Sequence, residues 1–304
     1  MVTTPDPMDV APAVAPAVPA PPDRPRWPRL RLLRPGQWVK NAFVLAPLIF
    51  SGSFLSPTAV LRALGAVALF CTASAATYVL NDLRDREADR RHPVKRFTRP
   101  LASGDVSVGE AMSMLGLLCA LLLAGSAFSP KAGAVTILYL GINVAYSLRL
   151  KHVPVLDLFL IGAGFVLRVL AGAVAISVVL SPWMLITTLC LALYLAVIKR
   201  RAELTATPET TARAVLRLYT RPLLDRYAEL AAVSAIVFYG MFVTTVRPEL
   251  VFTVPLVLFG LFRYWYIVER GGGESPADAL WGDVPLAVTV LAWGALCTYA
   301  LWPS

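Results

Sequence analysis

The chain consists largely of apolar runs of about 20 residues, the length that an α-helix needs to cross a lipid bilayer. Charged residues make up only 15% of the sequence, whereas soluble domains carry about 25%. This pattern predicts an all-α integral membrane protein with nine transmembrane helices, and it disfavours a soluble domain with a large core. The predicted segments are 38–55, 58–80, 107–128, 131–148, 155–178, 182–199, 227–246, 249–268 and 284–302.

The N-terminal residues 1–28 have a different composition. They are rich in proline and alanine, as in the stretch DPMDVAPAVAPAVPAPPDRPRWP. Such a composition cannot bury a packed core, so we expect a disordered tail. Acidic residues and prolines interrupt the stretch, which distinguishes it from a secretory signal peptide. The membrane domain is then predicted to cover residues 29–304.

The basic residues are distributed unevenly along the predicted segments. If the N-terminus lies inside, the cytoplasmic segments hold 24 of the 28 lysines and arginines. Lysine and arginine concentrate in cytoplasmic loops of membrane proteins. We therefore expect a multi-pass protein of the cell (inner) membrane, with a cytoplasmic N-terminus and an outer C-terminus.

An acidic motif, NDLRDREAD at residues 81–89, follows the second apolar segment. If the helix continues through it, Asn81, Asp85 and Asp89 share one face, because residues four apart are neighbours on a helix. Like charges at this spacing repel each other unless a cation lies between them. Carboxylate and amide oxygens suit Mg²⁺, which is commonly shared with substrate phosphates. The alternative is a solvated helix end whose acids pair with neighbouring arginines.

The sequence RRHPVKRFTRPL comes directly after this motif and is strongly basic. Lys95, Arg96 and Arg99 are candidates for binding phosphate, with simple solvation at the cytoplasmic face as the alternative. Acids for a metal ion next to cations for phosphates are typical of a site for a diphosphate leaving group. The chain has no glycine-rich phosphate loop, which disfavours an ATPase or a dinucleotide-binding enzyme.

The acidic motif followed by HPVKRFTRPLASG resembles the first signature of the UbiA superfamily of membrane prenyltransferases. The resemblance covers roughly residues 30–304, and the predicted nine segments agree with it. It implies a fold of nine transmembrane helices around a central cavity. It also implies that Mg²⁺ and a diphosphate bind at the cytoplasmic mouth of that cavity.

The sequence departs from most of this superfamily after the sixth predicted segment. Where a second DxxxD motif is usual, the chain has AVIKRRAEL at 196–204. KRRAEL, together with RPGQWVKN at 34–41 and YSLRLKH at 146–152, resembles the decaprenyl-phosphate phosphoribosyltransferase branch. That resemblance implies a donor that is not a lipid, 5-phosphoribosyl 1-diphosphate (PRPP), and the lipid acceptor decaprenyl phosphate. The implied product, decaprenylphosphoryl-5-phosphoribose, is used for arabinogalactan in cell-wall synthesis.

Further candidate site residues each have a structural alternative. Lys40 is predicted to bind phosphate or to extend towards lipid headgroups, and Asp82 to contact a metal ion or ribose or to be structural. Arg168 lies within a span, where charges are costly and usually functional; it would hold the lipid phosphate or bond a backbone carbonyl. Glu203 would contact a metal ion or a ribose hydroxyl, or pair with Lys199. The remaining candidates for substrate contact are Lys199, Arg200, Tyr146 and Lys151.

Two rival functions remain open at this point. A UbiA-type prenyltransferase acting on an aromatic or glycerol-phosphate acceptor would want a second aspartate-rich motif. A transporter or a structural membrane protein would want unwound helices and paired charges in the middle of the bilayer. PRPP and a membrane lipid are the expected partners, with no nucleic acid, and the oligomeric state stays open, a homo-oligomer included.

Overall fold

The computed structural model describes residues 27–206, 214–270 and 276–302, and all regular elements in these ranges are helices. Residues 1–26 of the predicted tail lie outside the described part of the chain. We number the long helices in chain order. They are α1 (Pro57–Arg91), α2 (Val108–Phe128), α3 (Pro130–Leu148), α4 (Leu156–Ile176), α5 (Pro182–Ala206), α6 (Arg221–Thr245), α7 (Val254–Glu269) and α8 (Val284–Ala300).

Helix starts agree with local sequence signals. The hydroxyl of Ser56 accepts a hydrogen bond from the backbone of the third residue of its helix, and Pro57 occupies the first turn of α1. Ser107 and Glu110 form a reciprocal capping box at α2. The carboxylate of Asp283 caps α8 by accepting the N–H of Leu286. Such caps satisfy backbone N–H groups that have no partner inside the helix.

Within the described residues, seven helices are long and apolar enough to cross a membrane, and they include α1 to α6. The seventh joins the 3₁₀ turn Pro248–Thr253 to α7. Helix α8 is apolar but shorter, with 17 residues. The all-helical membrane class is confirmed, whereas the count of nine spans stays a prediction.

The first predicted segment, 38–55, is not one regular helix. It consists of a 3₁₀ helix at Pro35–Leu45 and a short α-helix at Ala46–Phe50; together we call them the first segment. This segment packs on α4. A side chain at Gly172 would overlap the carbonyl oxygen of Val44, so the glycine permits the close contact.

The helices contact one another in a closed sequence. The first segment packs on α1, each long helix packs on the next, and α8 returns to the short helix Ala46–Phe50. Helix α4 also contacts α1 and the first segment, so it packs against helices that are distant in the sequence. Large apolar side chains such as Leu123, Leu230 and Leu291 remain on the outer surface, as expected for a protein surrounded by lipid.

Because consecutive helices alternate in direction, α1, α3, α5 and α7 finish at one end of the bundle. We call it the charged end. Arg84 Nη1 donates to the Ser147 carbonyl oxygen at 2.8 Å and so joins the ends of α1 and α3. Arg200 Nη2 donates to the Tyr146 hydroxyl at 3.0 Å and joins α5 to α3. The charged motifs at 81–89, 146–152 and 196–204 therefore meet at one end.

Candidate active site

Helix α1 continues without a break to Arg91 and carries the whole acidic motif. Asn81, Asp85 and Asp89 therefore lie on one helical face, as predicted. Asp89 is buried and its Oδ1 lies 3.4 Å from Lys95 Nζ. Asp85 is half-buried, and Arg84 Nε lies 4.0 Å from its Oδ1. Asn81 makes no side-chain hydrogen bond with the residues that the structure describes, so its amide oxygen remains available.

These side chains fit a magnesium site that is completed by substrate. The described residues contain no group of three histidine, cysteine or acidic side chains placed to hold a metal ion. The donor set on this face of α1 is two carboxylates and one amide. Mg²⁺ prefers oxygen ligands, keeps several waters and is usually bound through one or two carboxylates and substrate phosphates. The donor chemistry therefore suits Mg²⁺ bound together with a diphosphate.

Asp82 is directed elsewhere and is only 4% exposed. Its Oδ1 accepts hydrogen bonds from Arg34 and, at 3.2 Å, from Arg99 Nη1. The guanidinium of Arg34 also lies 4.6 Å above the ring of Tyr78. Asp82 thus ties the start of the first segment and the basic loop to α1. This arrangement favours the structural interpretation of Asp82 and engages Arg99, although Asp82 Oδ2 has no hydrogen-bond partner among the described residues.

The basic loop after α1 begins where His92 adopts an extended backbone. His92 Nδ1 accepts hydrogen bonds from the backbone N–H groups of Val94, at 3.2 Å, and Lys95, at 3.3 Å. This histidine therefore orders the loop. Arg96 is exposed, lies 4.4 Å above the ring of Phe97, and has no acidic partner within the described residues. Arg96 is the predicted phosphate ligand of this loop that carries an uncompensated charge.

Lys40 lies on the first segment and is half-buried. Its ammonium donates to Gln37 Oε1 at 2.6 Å. The positive charges of Lys199 on α5 and Arg168 on α4 act on it, and the single negative charge of Asp278 opposes them. Lys40 has no ion pair with a described acidic residue. The interior near the first segment therefore carries excess positive charge, which favours the binding of an anion.

Arg200 is the centre of a buried polar network at the end of α5 and is 2% exposed. Its Nε donates to Asp157 Oδ2 at 3.0 Å, and its Nη1 donates to Glu203 Oε2 at 2.6 Å. Its Nη2 bonds Tyr146, so each guanidinium nitrogen has a partner. This arrangement favours a supporting role for Arg200, because two carboxylates already compensate its charge.

The remaining cations at this end differ in how far they are engaged. Lys199 Nζ lies 3.9 Å from Glu203 Oε1, which confirms the intrahelical pair considered from the sequence. Arg201 is buried and pairs with Asp225 and Glu269, so it links α5 to α6 and α7. Lys151 is half-buried and makes no ion pair with any described residue. Lys151 therefore differs from Arg201, whose two carboxylate contacts join three helices.

Tyr219, which sequence analysis did not identify, belongs to the same network. Its hydroxyl donates to Asp157 Oδ1 at 2.7 Å and accepts the N–H of Val155 at 2.6 Å. Burial raises the pKa of Tyr219 far above its ordinary value, and the hydrogen bond to Asp157 adds to this. The hydroxyl therefore stays protonated and remains a donor. No sequence spacing could reveal it, since Tyr219 and Asp157 are 62 residues apart.

Arg168 is 7% exposed within α4. Its Nε donates to Asn41 Oδ1 at 2.9 Å, and its Nη2 donates to the Tyr139 hydroxyl at 3.0 Å. Its Nη1 donates to the backbone carbonyl of Gly164 at 2.8 Å, the carbonyl contact considered from the sequence. The guanidinium has no carboxylate partner in the described part of the chain. It ties the first segment, α3 and α4 together through neutral acceptors, so no described carboxylate balances its positive charge.

The chain resembles known proteins over most of its length. It is 34% identical over 279 residues to a decaprenyl-phosphate phosphoribosyltransferase of Corynebacterium glutamicum, covering 87% of this chain and 83% of that protein. It is 33% identical over 284 residues to the protein of the same name from Mycolicibacterium smegmatis, covering 87% and 89%. Its fold is similar to that of a UbiA homologue from Archaeoglobus fulgidus bound to DMAPP and Mg²⁺, with a TM-score of 0.67 and 23% identity over 90% of this chain and 98% of that chain.

The family assignment follows from these relatives together with a match to a family model. Residues 42–284 match the family model described as the UbiA prenyltransferase family. The resemblance predicted from the acidic motif is confirmed, and the apolar helices and the family together make the chain a multi-pass membrane protein. The chain belongs to the UbiA prenyltransferase family.

Proposed function

We propose that the chain transfers the 5-phosphoribosyl group of PRPP to decaprenyl phosphate and releases pyrophosphate. The observation that carries this proposal is the end of α5. An enzyme that binds one prenyl diphosphate between two acidic clusters would need carboxylates there for metal ions. Here Glu203 is held by Lys199 and Arg200, and Asp157 by Arg200. The names of the relatives, decaprenyl-phosphate phosphoribosyltransferase, support the transfer of a phosphoribosyl group to decaprenyl phosphate.

On the donor side, we assign Asn81, Asp85 and Asp89 to Mg²⁺ and the diphosphate of PRPP. Mg²⁺ bound there would neutralise the negative charge that grows on the departing pyrophosphate. Lys95 and Arg96 lie on the adjacent basic loop and can compensate further charge on the phosphates. Lys95 must share its charge between Asp89 and the substrate, because its ammonium lies 3.4 Å from that carboxylate.

Three lysines are our candidates for the other phosphates. Lys40 and Lys151 form no ion pair with a described residue, and Lys199 Nζ lies 3.9 Å from Glu203 Oε1. Lys40 and Lys199 act electrostatically on each other and lie on different helices. A phosphate between them would relieve their mutual repulsion. We assign these lysines to the 5-phosphate of PRPP and the phosphate of the lipid.

The transfer needs no strong general base from the chain. An oxygen of the lipid phosphate forms a bond to the anomeric carbon of ribose, while the bond from that carbon to the diphosphate oxygen breaks. The electron pair leaves with pyrophosphate, and the attacking oxygen is already anionic. His92 is occupied with backbone N–H groups, which agrees with chemistry that uses no histidine.

We place the charged end in the cytoplasm, where a water-soluble donor is available. The basic residues are concentrated at this end, as the bias of cytoplasmic loops requires. This orientation gives a cytoplasmic N-terminus and an outer C-terminus in the cell membrane. A membrane-anchored lipid phosphate would meet the donor at the rim formed by α1, α3 and α5.

A transfer assay tests the proposal. Purified protein in detergent would receive radiolabelled PRPP, decaprenyl phosphate and Mg²⁺, with EDTA in a parallel reaction. The expected result is a labelled lipid that does not form with EDTA. Absence of labelled lipid, together with transfer of a prenyl group from a polyprenyl diphosphate to an aromatic acceptor, would refute the proposal.

A further inference from the structure

The connection between α3 and α4 ends in a strained turn. The N–H of Leu156 donates to the carbonyl oxygen of Pro154 at 2.8 Å. Between them Val155 has φ 67° and ψ −48°. This is a γ-turn with a positive φ at its centre, a rare and strained form, and β-branched residues are unfavourable at positive φ. We call residues 154–156 the Val155 turn.

A strained backbone persists only where the surrounding structure holds it in place. Here the N–H of Val155 donates to the hydroxyl of Tyr219 at 2.6 Å. Tyr219 is 4% exposed and comes from the segment that precedes α6, so its hydroxyl is fixed by packing. The same hydroxyl donates to Asp157, which is fully buried and directly follows the turn. One hydroxyl therefore holds both the turn and the carboxylate beside it.

The Val155 turn lies at a branch point of the charged end. On its N-terminal side, the 3₁₀ turn Leu150–His152 carries Lys151. On its C-terminal side, Asp157 accepts the hydrogen bond from Arg200, which in turn bonds Tyr146 and Glu203. A change in the turn would therefore displace candidate residues on two sides at once.

We propose that Tyr219 is a positioning residue for phosphate binding: its hydroxyl closes the Val155 turn and so fixes Lys151 and the network around Arg200. Tyr219 acts through these residues and does not itself contact substrate. The inference rests on the proposed function for its effect on PRPP, whereas the effect on the turn does not depend on any substrate.

The matched pair Tyr219→Phe and Tyr239→Phe tests this role. Tyr239 also loses a buried hydroxyl with two partners, since it bonds Thr253 Oγ1 at 2.6 Å and Trp293 Nε1 at 3.1 Å. Both of its partners lie away from the charged end. Amide hydrogen exchange is measured at residues 155 and 156, and kcat and KM for PRPP are measured in the transfer assay.

In Tyr219→Phe, we expect exchange at the Val155 turn to become about tenfold faster, because local opening is no longer opposed by the hydroxyl. We expect KM for PRPP to rise about fivefold with kcat nearly unchanged, the pattern of lost ground-state and transition-state binding. Tyr239→Phe should change neither quantity. A merely structural role of the tyrosine would lower stability in both variants without this difference in KM.

Glycine adopts a positive φ without strain, so Val155→Gly in the Tyr219→Phe background should recover most of the PRPP affinity. This double variant also serves as the test protein if Tyr219→Phe alone fails to fold. Failure of the double variant to recover affinity would overturn the proposal.

The two readouts separate the proposal from the function on which it rests. Unchanged exchange at the Val155 turn in Tyr219→Phe would overturn the role of the hydroxyl, whatever reaction the enzyme catalyses. Faster exchange with an unchanged KM would overturn the positioning role. A wild-type protein without phosphoribosyl transfer would refute the proposed function, while the exchange measurement would still decide whether Tyr219 holds the turn.

Discussion

Replacing Asp157 by asparagine removes one buried charge while keeping the shape of the side chain. Asp157 is fully buried, and its Oδ2 accepts a hydrogen bond from Arg200 Nε at 3.0 Å. Arg200 keeps its second carboxylate, Glu203, whose Oε2 lies 2.6 Å from Nη1. The variant therefore tests how much stability one carboxylate contributes when the buried cation has two carboxylate partners.

The magnitude follows from two opposing effects. At the observed 3.0 Å, the attraction between unit charges is about 5 kcal/mol at an effective dielectric constant of about 20. Desolvation of the buried carboxylate, several kcal/mol, offsets part of this, so that removal of one partner of a buried pair typically costs about 3–5 kcal/mol. Because Glu203 still compensates Arg200, we expect the lower end, about 3 kcal/mol. For a chain of this length, that corresponds to a fall in Tm of about 5 °C.

Thermal unfolding of purified protein in detergent measures this effect. The control is Glu249→Gln at the opposite end of the bundle, where Arg247 Nη1 lies 3.5 Å from Glu249 Oε1 and the carboxylate is 39% exposed. An exposed pair contributes less than about 1 kcal/mol, so Tm of the control should fall by less than about 2 °C. A Tm of Asp157→Asn within about 1 °C of the wild type would refute the assignment of Arg200 as a buried structural centre.

Three further predictions concern the metal ion and the buried cation of α4. Asp85→Asn should lower kcat by at least about 100-fold with little change in Tm, because its partner Arg84 lies at 4.0 Å; full activity in the transfer assay would contradict a metal role. EDTA should abolish transfer and added Mg²⁺ should restore it, so undiminished transfer in EDTA would argue against a metal-dependent reaction. Arg168→Lys should lose about 2 kcal/mol of stability, because an ammonium cannot replace the planar donors to Asn41 and Tyr139; an unchanged Tm would show that those hydrogen bonds are dispensable.

Much of the fold could be predicted because the information is local. The length of each apolar run requires a helix in a bilayer, where no water can satisfy an open backbone. The first segment is the exception, since its hydrophobicity is compatible with one helix but the structure has a 3₁₀ helix followed by a short α-helix. Its backbone lies against Gly172, and this contact with α4 could not be read from the segment itself.

The candidate site was predicted unevenly. The shared face of Asn81, Asp85 and Asp89 follows from helical spacing, and the pair of Lys199 with Glu203 does so too. The interpretation of the arginines needed the structure, because each one was a candidate phosphate ligand by composition. Arg99 instead pairs with Asp82, and Arg200 with Asp157 and Glu203.

The sequence by itself thus determined the membrane class, the positions of the long helices, the family and the acidic face of α1, because each depends on residues close together in the chain. Only the tertiary structure decided which cations are already compensated. Arg168 meets Asn41 across 127 residues, and Arg200 meets Asp157 across 43. Hydrogen bonds and ion pairs act over a few ångströms, so their partners are chosen by the packing of helices and not by spacing along the chain.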